Sequence, residues 1–83
     1  MGAIGEPEMK IGMMWLDTDK QRTLEEKVRR AADYYRDKYG RFPEVCLVNE
    51  RLLKDEKKVG RVIVQPGKAV LPGHFWLGMF TRN

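Results

Sequence analysis

The hydrophobic positions of this chain form one long helical stripe set among four short apolar runs. The first run, Lys10–Leu16 (KIGMMWL), is closed by Asp17-Thr18-Asp19; it is too short for a helix and predicts a strand. The stripe follows. Leu24, Val28, Ala31, Tyr35 and Tyr39 recur at helical spacing with Ala32 beside them, so one face of a helix is apolar. Both helix ends are encoded locally. In Thr23-Leu24-Glu25-Glu26 the Thr hydroxyl can accept from the Glu26 amide while the Glu26 side chain reaches back, a capping box. Gly40 suits the left-handed position just past the last turn, and Pro43 blocks continuation. The helix is therefore expected over about 24–39, with Glu25–Arg29 and Glu26–Arg30 spaced as ion pairs along it.

Glu44–Asn49 (EVCLVN) is apolar and β-branched, and predicts a second strand. Asn49 is placed to cap a turn or short helix over Glu50–Lys58, which carries Leu52 and Leu53. Gly60–Gln65 (GRVIVQ) alternates as a third strand, ended by Pro66-Gly67. After Pro72-Gly73, His74–Phe80 (HFWLGMF) reads as a fourth. The order β-α-β-β-β predicts an α+β fold, a two-layer sandwich with one long helix on a four-stranded mixed sheet. If the first two strands are neighbours they run parallel with a right-handed crossover. The last two most simply add as a meander or hairpin. Residues 1–9 show no periodicity and are expected to be a flexible tail, leaving 10–83 as one domain.

One helix can cover only one face of such a sheet. A half-solvated strand alternates apolar and polar residues, yet three of these strands are apolar on both sides. The first divides into Ile11, Met13 and Trp15 against Gly12, Met14 and Leu16; the second into Val45 and Leu47 against Cys46 and Val48. The fourth divides into Phe75, Leu77 and Met79 against His74, Trp76, Gly78 and Phe80. The uniformly apolar Phe75/Leu77/Met79 set matches the helix stripe. The other set, His74, Trp76 and Phe80, carries polar handles and suits an interface, where an indole buries its ring and still finds an acceptor. Something must cover that second face: the 50–58 segment and the 66–73 loop with Leu52, Leu53, Val70 and Leu71, or else a partner.

Composition narrows the chemistry. The chain has 83 residues, one cysteine (Cys46) and one histidine (His74), so neither an internal disulfide nor a Cys/His metal staple can support the fold. A compact chain of this length has a radius of gyration near ~12 Å. The apolar runs fall far short of the ~20 residues of a membrane span, and no secretory pattern opens the sequence; a cytoplasmic location is expected. The net charge is +4. Lys20–Arg41 holds eight basic and four acidic residues, the remainder eight of each, so the whole excess lies on and around the helix. Arg22, Arg29 and Arg36, seven residues apart, line one side of it as a candidate phosphate-contacting ridge, although Glu25, Glu26 and Asp33 flank them.

Candidate catalytic groups are sparse. Asp17-Thr18-Asp19 after an apolar strand resembles the D-x-D of haloacid-dehalogenase-type phosphatases, but the resemblance covers three residues and Gln21 departs from the pattern. A solvated loop is the favoured reading. Cys46, between Val45 and Leu47, reads as a small buried hydrophobe, and a Cys46–His74 pair requires the second and fourth strands to be neighbours. No catalytic residue, cofactor or metal is expected.

Over most of the chain from Ile11 onward, the pattern of a strand ending in W-L-D, then A-x-x-Y-Y-x-x-K-Y-G-x-x-P-x-x-C-x-V-N and L-P-G-H-F-W-L-G, resembles a set of small uncharacterised bacterial proteins associated with mobile elements. That resemblance implies a natural domain and no activity. The residues point first to a non-enzymatic interaction module that self-associates or docks on a protein partner through an apolar sheet face. The alternative is a nucleic-acid-binding accessory protein using the basic helix face. A small hydrolase acting through Asp17 and Asp19 stands third.

Overall fold

A computed structural model describes residues 12–80. Among them are one helix and five strands: β1 (Met13–Leu16), α1 (Leu24–Tyr39), β2 (Val45–Asn49), β3 (Lys57–Val59), β4 (Val62–Gly67) and β5 (His74–Gly78). The class is α+β, as the sequence predicts, but the sheet has five strands rather than four. The tail expected over residues 1–9 lies outside the described residues.

The additional strand replaces the turn or short helix expected at 50–58. Asn49 does start a turn there: its Oδ1 accepts from the Arg51 N–H at 2.9 Å, and its carbonyl accepts from the Leu52 N–H at 2.9 Å. The chain then straightens into β3, because Gly60 and Arg61 form a two-residue hairpin turn between the paired residues Val59 and Val62. Gly60 has φ +60°, while no non-glycine residue among the described residues has positive φ. A glycine at the first central position of a two-residue loop matches the twist of antiparallel strands.

α1 forms where the stripe predicts. Thr23 and Glu26 complete the capping box, with Glu26 N–H donating to Thr23 Oγ1 (3.1 Å) and Thr23 N–H to Glu26 Oε1 (2.8 Å). Gly40, at φ 82°, ends the helix by donating its N–H to the Arg36 carbonyl (2.7 Å). Val28, Ala31, Ala32 and Tyr35 are buried, while Tyr39, expected on the stripe, is exposed at the last turn. The expected pairing of Glu25 with Arg29 gives way to a salt bridge with Lys57 on β3, and Glu26 is engaged by the cap. The Lys57 ammonium holds the Glu25 carboxyl below its usual range through their hydrogen bond.

The strand order is β1-β5-β2-β4-β3. β1 and β2 run in the same direction, since β5 is antiparallel to both, but they are not neighbours: β5 lies between them. The expected hairpin of the last two strands is likewise absent, β4 pairing in parallel with β2 on its other side. The reason lies in composition. β5 is apolar on both faces, and a slot between two strands shields more of it from water than an edge does. Pro66 is tolerated in β4 because Ile63 donates its N–H towards β2, to the Glu44 carbonyl (2.9 Å). Alternation then puts the Pro66 nitrogen on the β3 side, beyond the Lys57↔Val64 pair where β3 begins.

The registers sort every side chain. On the helix side lie Met13 and Trp15, Leu77 and Phe75, Cys46 and Val48, Val64 and Val62, and Val59. These form one core with Val28, Ala31, Ala32 and Tyr35, and Leu53 and Phe42 pack against it. Phe75, Leu77, Val28, Cys46, Val48 and Val64 are fully buried. The radius of gyration is 11.9 Å.

Leu77 and Trp76 therefore separate the two faces of β5. Leu77→Ala should lower folding stability by ~2–5 kcal/mol, the cost of a core truncation plus its cavity. Trp76→Ala, on the face away from the helix, should cost clearly less. Denaturant melts of the two variants check this; a larger loss for Trp76→Ala would reverse the assignment of faces.

A half-covered outer face and an arginine cluster

On the side away from α1, β1 contributes Met14 and Leu16, β5 His74 and Trp76, β2 Val45 and Leu47, and β4 Ile63 and Gln65. A row of direct neighbours, Met14–Trp76–Leu47–Gln65, crosses four strands. The structure thus places His74 and Trp76 together on the outer face as expected, His74 opposite Leu16 and Trp76 opposite Met14. Phe80 lies past the end of β5, half-buried, with its N–H donated to Glu44 Oε1 (2.9 Å).

Of the two segments expected to cover this face, only one reaches it, and only at one end. Val70 is buried, and Asn49 Nδ2 fixes the loop by donating to the Val70 carbonyl (2.8 Å). Gly67 leaves room for it, since a Cβ there would meet Val70 Cγ2 at 2.9 Å. Leu71 in the same loop remains 64 % exposed. The 50–56 segment turns the other way: Leu53 packs on the helix-side core and Leu52 is exposed. At the β1 end the face stays open, with Met14 48 % and Leu16 60 % exposed. Trp76, Leu47 and Ile63 are half-buried.

His74 Nδ1 lies 3.1 Å from the Pro72 carbonyl oxygen. A carbonyl only accepts, so Nδ1 carries the proton in this arrangement. Cys46 and His74 do stand on neighbouring strands, β2 and β5. Cys46 nevertheless pairs with Leu77 on the helix side while His74 is on the outer side, so the two cannot form a dyad.

The acidic loop between β1 and α1 is tied to itself. Asp17 Oδ1 accepts from the Asp19 N–H (3.0 Å) and from Arg22 Nη1 (3.3 Å); Asp19 Oδ1 accepts from the Gln21 N–H (2.8 Å). Arg22 bridges both carboxylates, reaching Asp19 Oδ2 at 3.1 Å. Both side chains order the entry to the helix. Among the described residues no group of three or more His, Cys, Asp or Glu side chains is placed to hold a metal ion.

This removes Arg22 from the expected ridge, since its guanidinium faces Asp17 and Asp19. The remaining arginines gather around an unforeseen centre. Arg36 lies 5.0 Å from the Phe42 ring centroid, and Arg61, in the β3–β4 turn, lies 5.2 Å from the same ring. Arg29 joins Arg61, Asp33 and Phe42 around a cleft of about 240 Å³ floored by Val28, Ala32, Val59 and Val62. Guanidinium stacking on an aromatic face is favourable and leaves N–H edges available for anions, one of which in Arg36 is taken by Asp37, Nη2 to Oδ1 at 3.3 Å. Arg61 is the residue that sequence reading missed. Its signal was the Val59-Gly60-Arg61-Val62 hairpin, which folds β3 back beside the helix.

Two groups titrate abnormally in the same direction. Burial pushes the Cys46 thiol from its ordinary 9.0 up to about 12, and burial, then the neighbouring Tyr39, raises the Tyr35 phenol. For an acid whose pKa is raised by folding, the native state holds the proton more tightly. The stabilisation is complete below about pH 9 and is lost as pH climbs towards about 12. Denaturant melts should therefore show stability falling as pH rises above about 9. Cys46→Val should flatten that fall, and native Cys46 should resist thiol reagents until the chain unfolds. Equal pH dependence in the variant would exclude the thiol as a cause.

Comparison with protein-family models, with curated proteins and with solved structures finds no match for this chain.

Proposed function

We propose that this chain is a non-enzymatic protein-interaction module that docks through its outer sheet face. The observation that carries this reading is the open apolar row at the β1 end, where Met14 and Leu16 are exposed beside Trp76 and Leu47. Monomers seldom leave contiguous apolar patches of more than a few hundred Å² facing water, and tryptophan is the side chain most enriched in binding hot spots. His74 and Gln65 give the row a polar margin, the usual anatomy of an interface whose centre is apolar. No helix among the described residues is long and apolar enough to cross a membrane. A cytoplasmic setting goes with the reading, since the chain has a single, buried thiol.

The double variant Met14→Ser/Trp76→Ala tests this. Its circular dichroism should match that of the natural sequence, while association with a bound partner, itself or another protein, weakens by ~2 kcal/mol or more. Association that survives in the folded double variant would reject the outer face as the docking surface.

A second reading has its own observation. Arg36 and Arg61 stack on Phe42, and Arg29 and Arg61 line the cleft beside it, which favours a nucleic-acid-binding accessory role. Phosphate contacts would come from Arg29, Arg36 and Arg61 rather than from Arg22. Binding to single- or double-stranded nucleic acid should then fall steeply between about 50 and 200 mM salt, and Arg29→Ala/Arg61→Ala should lower that slope by about two. No complex with either nucleic acid at low salt would eliminate this reading.

A further inference from the structure

The two edges of the sheet are unlike each other. β3, at one edge, is three residues long and begins with Lys57-Lys58. Short edge strands bearing lysines are the usual protection against strand-to-strand association. β1, at the other edge, is Met13-Met14-Trp15-Leu16. It carries no charge, no proline and no bulge in its pairing with β5.

The backbone shows which groups that edge presents. β1 and β5 pair antiparallel as Met13↔Leu77, Met14↔Trp76, Trp15↔Phe75 and Leu16↔His74. The same register continues to Asp17 and Gly73, where the Asp17 N–H donates to the Gly73 carbonyl at 2.9 Å. Hydrogen-bonded and non-bonded pairs alternate along an antiparallel ladder. Met13, Trp15 and Asp17 therefore direct their backbone groups to β5, and Met14 and Leu16 direct theirs outward. These are the two residues whose side chains are also most exposed on that strand. Tyr34, exposed on α1, flanks the edge from the helix side, its ring 5.0 Å from that of Trp15.

We infer that β1 is a homodimerisation edge, pairing antiparallel with β1 of a second copy of this chain. The inference rests on the interaction reading above and names the partner. An antiparallel edge pair has a two-fold axis perpendicular to the sheet, so one strand satisfies itself: Met14 faces Leu16 of the partner subunit, and Leu16 faces Met14 of the partner subunit. Both helices then lie on the same side of a continuous ten-stranded sheet, twice the five of one chain. The apolar row Gln65–Leu47–Trp76–Met14 runs on into the second copy. The lysine-bearing β3 edges end the sheet on both sides, so the contact closes as an isologous dimer and does not propagate into a fibre.

The experiment uses the whole chain at ~100 μM, above the Kd of most specific interfaces, with mass measured by sedimentation and amide exchange by NMR. The expected result is twice the 9.7 kDa chain mass, with the Met14 and Leu16 amides protected from exchange. Leu16→Pro should weaken the dimer by ~10-fold or more, since it removes an edge donor that the β1–β5 ladder does not use. Leu16→Lys, which keeps the backbone intact at an exposed position, should weaken it similarly by bringing two ammonium groups across the two-fold axis. A monomer at this concentration overturns the edge pairing and leaves the outer face free to dock on a different protein. A dimer with rapidly exchanging Met14 and Leu16 amides, indifferent to Leu16→Lys but dissociated by Trp76→Ala, also overturns it, because the contact is then face to face.

Discussion

Every strand contact on the β1 side of this sheet runs through β5. It is antiparallel to β1 on one side and to β2 on the other, and its Phe75 and Leu77 are completely buried beneath α1. On the helix side one row of neighbours crosses all five strands, Met13–Leu77–Cys46–Val64–Lys57. Leu77 stands at the junction of the two halves of that row. Glu44 fastens the same region from the end of the strands: its N–H donates to the Gly78 carbonyl, its own carbonyl accepts from Ile63, and its carboxylate accepts from Phe80. A single residue before β2 thereby binds β4 and β5 together. The outer face, the edges and the placement of the arginines are all consequences of β5 occupying this slot.

The elements that were legible in the sequence are those whose signals are local. The capping box at Thr23, the glycine at Gly40 and the stripe from Leu24 to Tyr35 define α1 without reference to anything else. The separation of Leu77 from Trp76 was also legible, because alternation along a strand is local and only Phe75 and Leu77 match an apolar helix face. What was not legible was adjacency. Nothing within HFWLG says that it inserts between two strands far earlier in the chain, since any central slot satisfies its two-sided hydrophobicity. β3 escaped for a different reason. Lys57-Lys58-Val59 is too short and too charged to look like a strand, and it becomes one through the Gly60 turn and the salt bridge from Lys57 to Glu25.

The basic excess illustrates how folding redistributes charge that sequence spacing seems to align. Arg22, Arg29 and Arg36 share a helical phase, but Arg22 precedes the cap and is recruited by Asp17 and Asp19, its nearest acids. Arg36 leans over Phe42, where it meets Arg61 from the opposite layer. A ridge along one element becomes a cluster between two. The spacing rule treats the helix as isolated, whereas guanidinium groups settle where an aromatic face or a carboxylate lies within reach.

The position of β5 also bears on how this protein is made. Among the described residues β1 has one neighbour in the sheet, and that neighbour is the last described strand in chain order. During synthesis the residues of β1 emerge before those of every other strand of this sheet and have no described strand to pair with until β5 has followed. α1 and the β2–β3–β4 unit can form meanwhile, leaving a slot beside β2 that only the final strand fills. Such long-range closure is slow compared with helix or hairpin formation. Throughout that interval Met13 and Trp15, which the finished fold turns towards the core, face water together with Met14 and Leu16, the kind of transient apolar exposure that makes a partly folded chain prone to aggregate.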